Sequence, residues 1–370
     1  MNNKYFYFYT AWLDSSGILS VSKINNLNIS PEELYNMKIS EMLQRRIVNE
    51  DQASRIAFEK DNEYKIQKCY DELEQRDIKF ITCVEKEFPK KLKNIPDAPK
   101  YLFYKGKLPD DALPSVAIIG ARKCDEYGAQ MTKHFAAKLS QAGIQIISGM
   151  ADGIDGIAGR ASVNEVGGSF AVLGTGVDKC FPAGNYDLYK ELIQKGGVIS
   201  EYVPKTPGKK YHFPRRNRII SGFSDGLFVI QARLHSGTSI TVDCALRQGK
   251  DIFCLPGRIT DTLSTGTNLM IRDGARLVID PDDIISEILG KYKQVILNFN
   301  QKQKEIEDIF SPDEKKILSC LDEVKAVHFD DISEKTEIPI TALYGILFTL
   351  ISRKIVIEAD NNCYLKAVRF

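Results

Sequence analysis

From Ser115 onward, short runs of apolar residues alternate with longer amphipathic stretches. The runs fall at 116–119, 144–147, 170–173, 198–200, 227–230, 252–255 and 277–279. Runs of about four apolar residues leave no polar face, so both sides of each strand need covering, which predicts a parallel sheet between two layers of helices. Residues with helical periodicity place those helices at 127–142, 154–166, 186–195, 239–248 and 282–289.

The pattern differs on either side of this sheet. Leu34, Met37, Ile39, Met42, Leu43 and Ile47 recur at helical spacing within 30–76, before the apolar stretch 78–82. A small helical N-terminal domain, 1–77, therefore precedes a sheet domain at 78–290, and without chemically suggestive clusters it reads as a scaffold. Polar residues dominate a connector at 291–310. Beyond it Ser311 is placed to cap a helix with Pro312 in its first turn. Helices at 312–322, 329–336 and 339–352, then strands at 355–358 and 363–366 around the turn 360–362, spell a winged helix over 311–370.

Composition makes the chain globular: 370 residues, 43% apolar, with a formal net charge of +1. The aromatic run Tyr5–Tyr9 is closed early by Asp14, and no stretch approaches the roughly 20 apolar residues of a membrane span. The expectation is a cytoplasmic protein without membrane insertion. Eight cysteines, scattered without a CxxC pair, read as reduced and buried; neither a metal site nor a cofactor is expected. Residues 311–370 hold eight Lys or Arg against ten Asp or Glu. That acidic balance favours protein contact, or bracing of the sheet domain, over duplex reading by the winged helix.

Against this near-neutral background one segment stands out. Lys209-Lys210-Tyr211-His212-Phe213-Pro214-Arg215-Arg216-Asn217-Arg218 holds five fixed cations and two aromatic rings without an acid. Cations hold a phosphate backbone and rings stack on bases, so this mixture suits single-stranded nucleic acid. The strand-end loops fit the same ligand. Gly120-Ala121-Arg122, the loop 148–156 with Gly149, Gly174-Thr175-Gly176, Ser236-Gly237-Thr238 and Pro256-Gly257-Arg258 all lie at carboxyl ends, which form one crevice in an open parallel sheet. Asp155 reads as a helix cap and Asp152 stays open. Arg122 stands where a dinucleotide fingerprint needs its second glycine, and no Walker A, HExxH or Ser-His-acid pattern occurs.

These residues resemble the DprA/Smf family of DNA-processing proteins. The likeness runs over 78–290 through Phe88-Pro89, Tyr101-Leu102, Gly120-Ala121-Arg122, 148–155, 171–176, Phe181-Pro182, 199–202, 213–222, Ser236-Gly237-Thr238 and Pro256-Gly257. It implies an α/β fold: an extended Rossmann-like domain flanked by a helical N-terminal domain and a C-terminal winged helix. It also implies binding and protection of incoming single-stranded DNA, homodimerisation through the Rossmann-like domain, and help in loading the RecA recombinase during natural transformation and recombination. Carried onto this chain, strand binding falls to Arg122, Phe213, Arg216 and Arg218, with Gly120, Gly149 and Gly174. Lys209, Lys210, Arg215, Asn217, Ser236 and Gly237 complete the expected surface. The chain departs from the family at Gly159, where His is usual, at Gln231, where an acid is usual, and at Cys124, where a small polar residue or Pro is commoner.

The rival is an enzyme that cleaves nucleoside monophosphates at the glycosidic bond with a PGGxGTxxE loop. Here Thr241 stands where that loop needs its catalytic Glu, leaving Glu201 as the candidate acid.

Overall fold

A computed structural model describes residues 3–234, 236–292, 310–322, 326–353, 355–359 and 362–367. Most of the expected connector 291–310, and Asp360 and Asn361 of the expected C-terminal turn, lie outside the described residues.

Nine strands form one sheet: β1 (Lys79–Thr82), β2 (Tyr101–Gly106), β3 (Ser115–Ile119), β4 (Gln145–Ser148), β5 (Ser169–Leu173), β6 (Gly197–Ser200), β7 (Gly226–Val229), β8 (Asp251–Cys254) and β9 (Arg276–Leu277). Their order is β1-β2-β6-β5-β4-β3-β7-β8-β9. From β6 to β9 every pairing is parallel, whereas β2 runs antiparallel to β6 and β1 antiparallel to β2. The parallel sheet expected from the runs at 116–279 is present, and β1 and β2 add an antiparallel edge outside those runs. β2 keeps only its first half buried, a pattern that antiparallel strands tolerate and that a search for continuous apolar runs passes over.

Alternation along β3 shows why the central runs are apolar throughout. Val116 and Ile118 join Phe135, Leu139 and Phe228 under one helical layer. Ala117 and Ile119 join Ile219, Phe223 and Leu227 under the other. Successive side chains point to opposite faces, so both sets need apolar cover.

The N-terminal helices share a core with the edge strands. Tyr5, Phe8 and Tyr9 of the helix Asn3–Ser15 pack in one apolar cluster with Tyr101 and Phe103 of β2 and with Val177 and Val203. The aromatic run at 5–9 is therefore buried helix. At the C-terminal end, helices Pro312–Cys320, Phe329–Thr336 and Ile340–Ser352 accompany three antiparallel strands, β10 (Val327–His328), β11 (Val356–Ala359) and β12 (Cys363–Lys366). Ser311 caps the first of these helices through the Glu314 amide, in a reciprocal capping box.

All eight cysteines are free thiols. Cys244 and Cys254 are buried, but the other six are only half-buried, short of the full burial expected. Among the described residues no helix is long and apolar enough to cross a membrane.

Two features set the two ends of the sheet apart. Strand order reverses at β3, with β4, β5 and β6 following on one side and β7, β8 and β9 on the other, so a crevice opens at the carboxyl ends. At the amino ends Asp225, just before β7, accepts hydrogen bonds through Oδ2 from Lys91 Nζ at 2.8 Å, the Ser115 amide at 2.9 Å and Tyr292 Oη at 2.9 Å.

Candidate nucleic-acid interface

The basic segment is not an open loop. It runs into the helix His212–Phe223, which accommodates Pro214 in its first turn, where an amide has no intrahelical acceptor to serve. Helical periodicity then sends the three arginines to different surroundings. Arg215 donates from Nη1 to Asp14 Oδ1 at 2.8 Å and lies 3.6 Å from Glu201. Arg218 donates from Nη2 to both Glu201 oxygens, at 2.7 and 2.9 Å. Arg216 donates from Nη1 to the carbonyls of Gly149, at 2.9 Å, and Val172.

Arg216 and Arg218 are 6% and 8% exposed. A guanidinium buried this deeply needs carboxylate or carbonyl partners, because taking a charge out of water costs several kcal/mol. The expectation that all five cations face a ligand is corrected: Arg215 and Arg218 neutralise internal acids, and Arg216 ties β4 and β5 together at their carboxyl ends. Burial pulls the Arg216 guanidinium below its usual range, with Asp155 opposing that shift.

What converges at the mouth is a smaller group. Arg122 is exposed, and its guanidinium lies 5.9 Å from the centroid of the Phe213 ring. Arg216 approaches the same ring at 6.0 Å. The Phe181 ring lies 5.3 Å away, tilted by 39°. Gly149 and Gly174 permit this crowding, since a Cβ on Gly149 would sit 2.6 Å from the Arg216 guanidinium and one on Gly174 2.8 Å from the Phe213 ring. Gly120 follows β3, two residues before Arg122.

Lys210 is exposed just before the helix, and Lys209 Nζ lies 5.7 Å from the Tyr211 ring. Asn217 is half-buried one turn beyond Phe213. Ser236 and Gly237 open the helix Gly237–Arg247 after β7. Among the described residues no side-chain hydrogen bond, ring contact or ion pair joins Lys209, Lys210, Asn217, Ser236 or Gly237 to Arg122, Phe213 or Arg216.

The loop 148–156 differs from expectation in its cap. Gly153 holds the N-cap position with φ +72°, and Asp155 stands inside the first turn. Asp155 accepts from the Gly149 amide at 3.1 Å. Burial raises its carboxyl above the ordinary range, opposed by Arg216 and by backbone amides. Asp155 thus serves the Arg216 corner, while Asp152 is exposed. His212 lies flat on Tyr202, centroids 3.9 Å apart, with Nδ1 3.0 Å from the Gly174 carbonyl oxygen, so it also braces the mouth.

The departures have local consequences. Gln231 is 1% exposed and donates from Nε2 to Asp125 Oδ1 at 2.7 Å, where an acid would oppose the Asp125 carboxylate. Gly159 lies against Leu188, and Cys124 is half-buried. Two contributors escaped the reading of the sequence as site residues. Phe181 was visible only as part of a Phe-Pro motif, and Asp14 carried no local signal, being 201 residues from its partner Arg215.

Comparison with known proteins places this geometry. The sequence profile of DNA recombination-mediator protein A matches residues 79–289. The DNA processing protein DprA of Streptococcus pneumoniae is 40% identical over 200 residues, which are 54% of this chain and 71% of that protein. The protein Smf of Escherichia coli is 36% identical over 264 residues, 70% of this chain and 68% of that one. The X-ray structure of the pneumococcal protein superposes with a TM-score of 0.64 at 31% identity, covering 78% of this chain and 98% of its own. A structure of DNA processing protein A from Helicobacter pylori, described for its single-stranded DNA binding mode, gives a TM-score of 0.52 at 28% identity, covering 58% of this chain and 97% of its own. With more than half of its length matched, the chain belongs to the DNA recombination-mediator protein A family.

Proposed function

We propose that the protein binds single-stranded DNA as a recombination mediator in natural transformation and does no chemistry on it. The observation that carries this reading is the exposed Arg122 guanidinium beside a pair of aromatic rings at the mouth of the sheet. A planar cation takes a phosphate, and rings take the base beside it. The Helicobacter pylori relative, described for binding single-stranded DNA, supports the same ligand. The internal partners of Arg215 and Arg218 bear on which cations serve the strand. With Arg215 and Arg218 engaged by Asp14 and Glu201, Lys209 and Lys210 are the cations of the basic segment proposed to act with Arg122.

With about three phosphates neutralised, log affinity for oligothymidine falls against log salt with a slope near −2. Arg122→Ala removes about 0.7 from that slope and weakens binding at low salt. Fluorescence anisotropy at several salt concentrations measures both, and a salt response unaltered in Arg122→Ala rejects the contact.

Loading of RecA and homodimerisation belong to the same proposal. For a dimer, a second copy would cover Leu277 and Ile279, 49% and 74% exposed at the free edge of β9. Sedimentation at micromolar concentration tests the dimer, with a monomer as the overturning result. Strand exchange by RecA on protected single strands tests loading, which no stimulation by the protein would reject. The cleaving enzyme loses support because Glu201 is 2% exposed and held by two hydrogen bonds from Arg218. Release of free base from nucleoside monophosphates by the purified protein would restore that reading.

A further inference from the structure

We infer that the C-terminal unit pairs with that of a second copy of this chain, through the exposed face of the helix Ile340–Ser352. The contact is independent of the single-strand reading and separate from the one proposed at β9. Leu343, Leu347 and Leu350 of this helix point into the core of their own unit. The opposite face is apolar as well: Ile340, Tyr344 and Phe348 are 59%, 48% and 75% exposed. Spaced four residues apart, they form one ridge along the helix. From Ile338 to Ser352 the sequence holds no charged residue. The Thr349 hydroxyl donates to the Gly345 carbonyl, and the Ser352 hydroxyl to that of Thr349, both at 2.8 Å. Such a face has no cation for a phosphate and no charge for an oppositely charged partner to meet.

The row beside that ridge points to a second copy as the occupant. Thr341, Gly345 and Thr349, all exposed, also lie four residues apart and line a groove with small side chains. Glycine weakens a helix interior, and nothing within the chain calls for it here: a Cβ on Gly345 would meet no other part of the chain within 4 Å. The open space admits another backbone. Ridge and groove on one face give each copy what the other needs. A two-fold axis near Gly345 sets Tyr344 and Phe348 of each chain into the groove of its partner. An uncharged face suits this symmetry, because a two-fold contact would bring like charges together. With one helix from each copy, the contact belongs to the small, weak class of interfaces.

Sedimentation equilibrium of the full chain, up to sub-millimolar concentration, tests this in a Leu277→Glu, Ile279→Glu background that removes the contact proposed at β9. The background chain still forms dimers. Adding Phe348→Glu raises their dissociation constant at least about thirtyfold, the effect of losing an aromatic anchor. Gly345→Leu, which has room within its own chain, weakens them as much by holding the two helices apart. A background chain that stays monomeric overturns the inference. So does a dissociation constant within about twofold of the background value in either added variant. Circular dichroism and urea unfolding matching those of the background chain establish that each variant is folded, so that a lost dimer reports the contact.

Discussion

Glu201→Ala is expected to lower the unfolding free energy by about 3–5 kcal/mol, the cost of leaving a buried charge without its partner. Glu201 receives two hydrogen bonds from Arg218 and lies 3.6 Å from Arg215, and its own side chain is almost wholly buried. Removing the carboxylate leaves one cation with no acid and the other dependent on Asp14 alone. Replacing both ends of the main pair with apolar groups, in Glu201→Leu with Arg218→Met, recovers most of the loss, because the penalty lies in the stranded charge. Urea unfolding of the full chain measures both variants. A loss below about 1 kcal/mol in Glu201→Ala would show that water reaches the pair and that burial does not set its strength.

Gly153→Ala carries the second large effect, on stability and binding together. Gly153 has φ +72° and ψ −130°, a region closed to side chains. A Cβ there would lie 2.3 Å from the Ala121 carbonyl oxygen and 2.5 Å from that of Arg122. Backbone strain of this kind costs about 1–3 kcal/mol, and the clash adds to it. Relief requires the Ala121–Arg122 turn to move, which takes the guanidinium away from Phe213. We expect unfolding at lower urea together with about tenfold weaker oligothymidine binding, the worth of one charge-assisted phosphate contact. Wild-type affinity in a correctly folded Gly153→Ala variant would mean that the position of Arg122 does not govern binding.

Much of the fold was legible because its signal is local. The apolar runs in β3 to β8 are apolar throughout because helices cover both faces of the sheet. β2 was not legible, since Lys105 and Gly106 interrupt it and its pairing partner β6 lies more than 90 residues on. The site divides in the same way. Gly120, Gly149 and Gly174 meet because carboxyl ends of neighbouring parallel strands must meet. What the arginines do inside a helix depends on acids contributed by remote segments: Asp14 from the first helix takes Arg215, and Glu201, just after β6, takes Arg218. Composition of the basic run shows its charge but not how much of that charge is spent within the fold.

The Tyr292–Asp225 hydrogen bond holds Tyr292 against the sheet. Asp225 lies just before β7 and Ser115 begins β3, so Tyr292 stands at the amino ends of the sheet, opposite Arg122. The hydrogen bonds that Asp225 gathers therefore act at the opposite ends of the strands from the proposed DNA contact of Arg122.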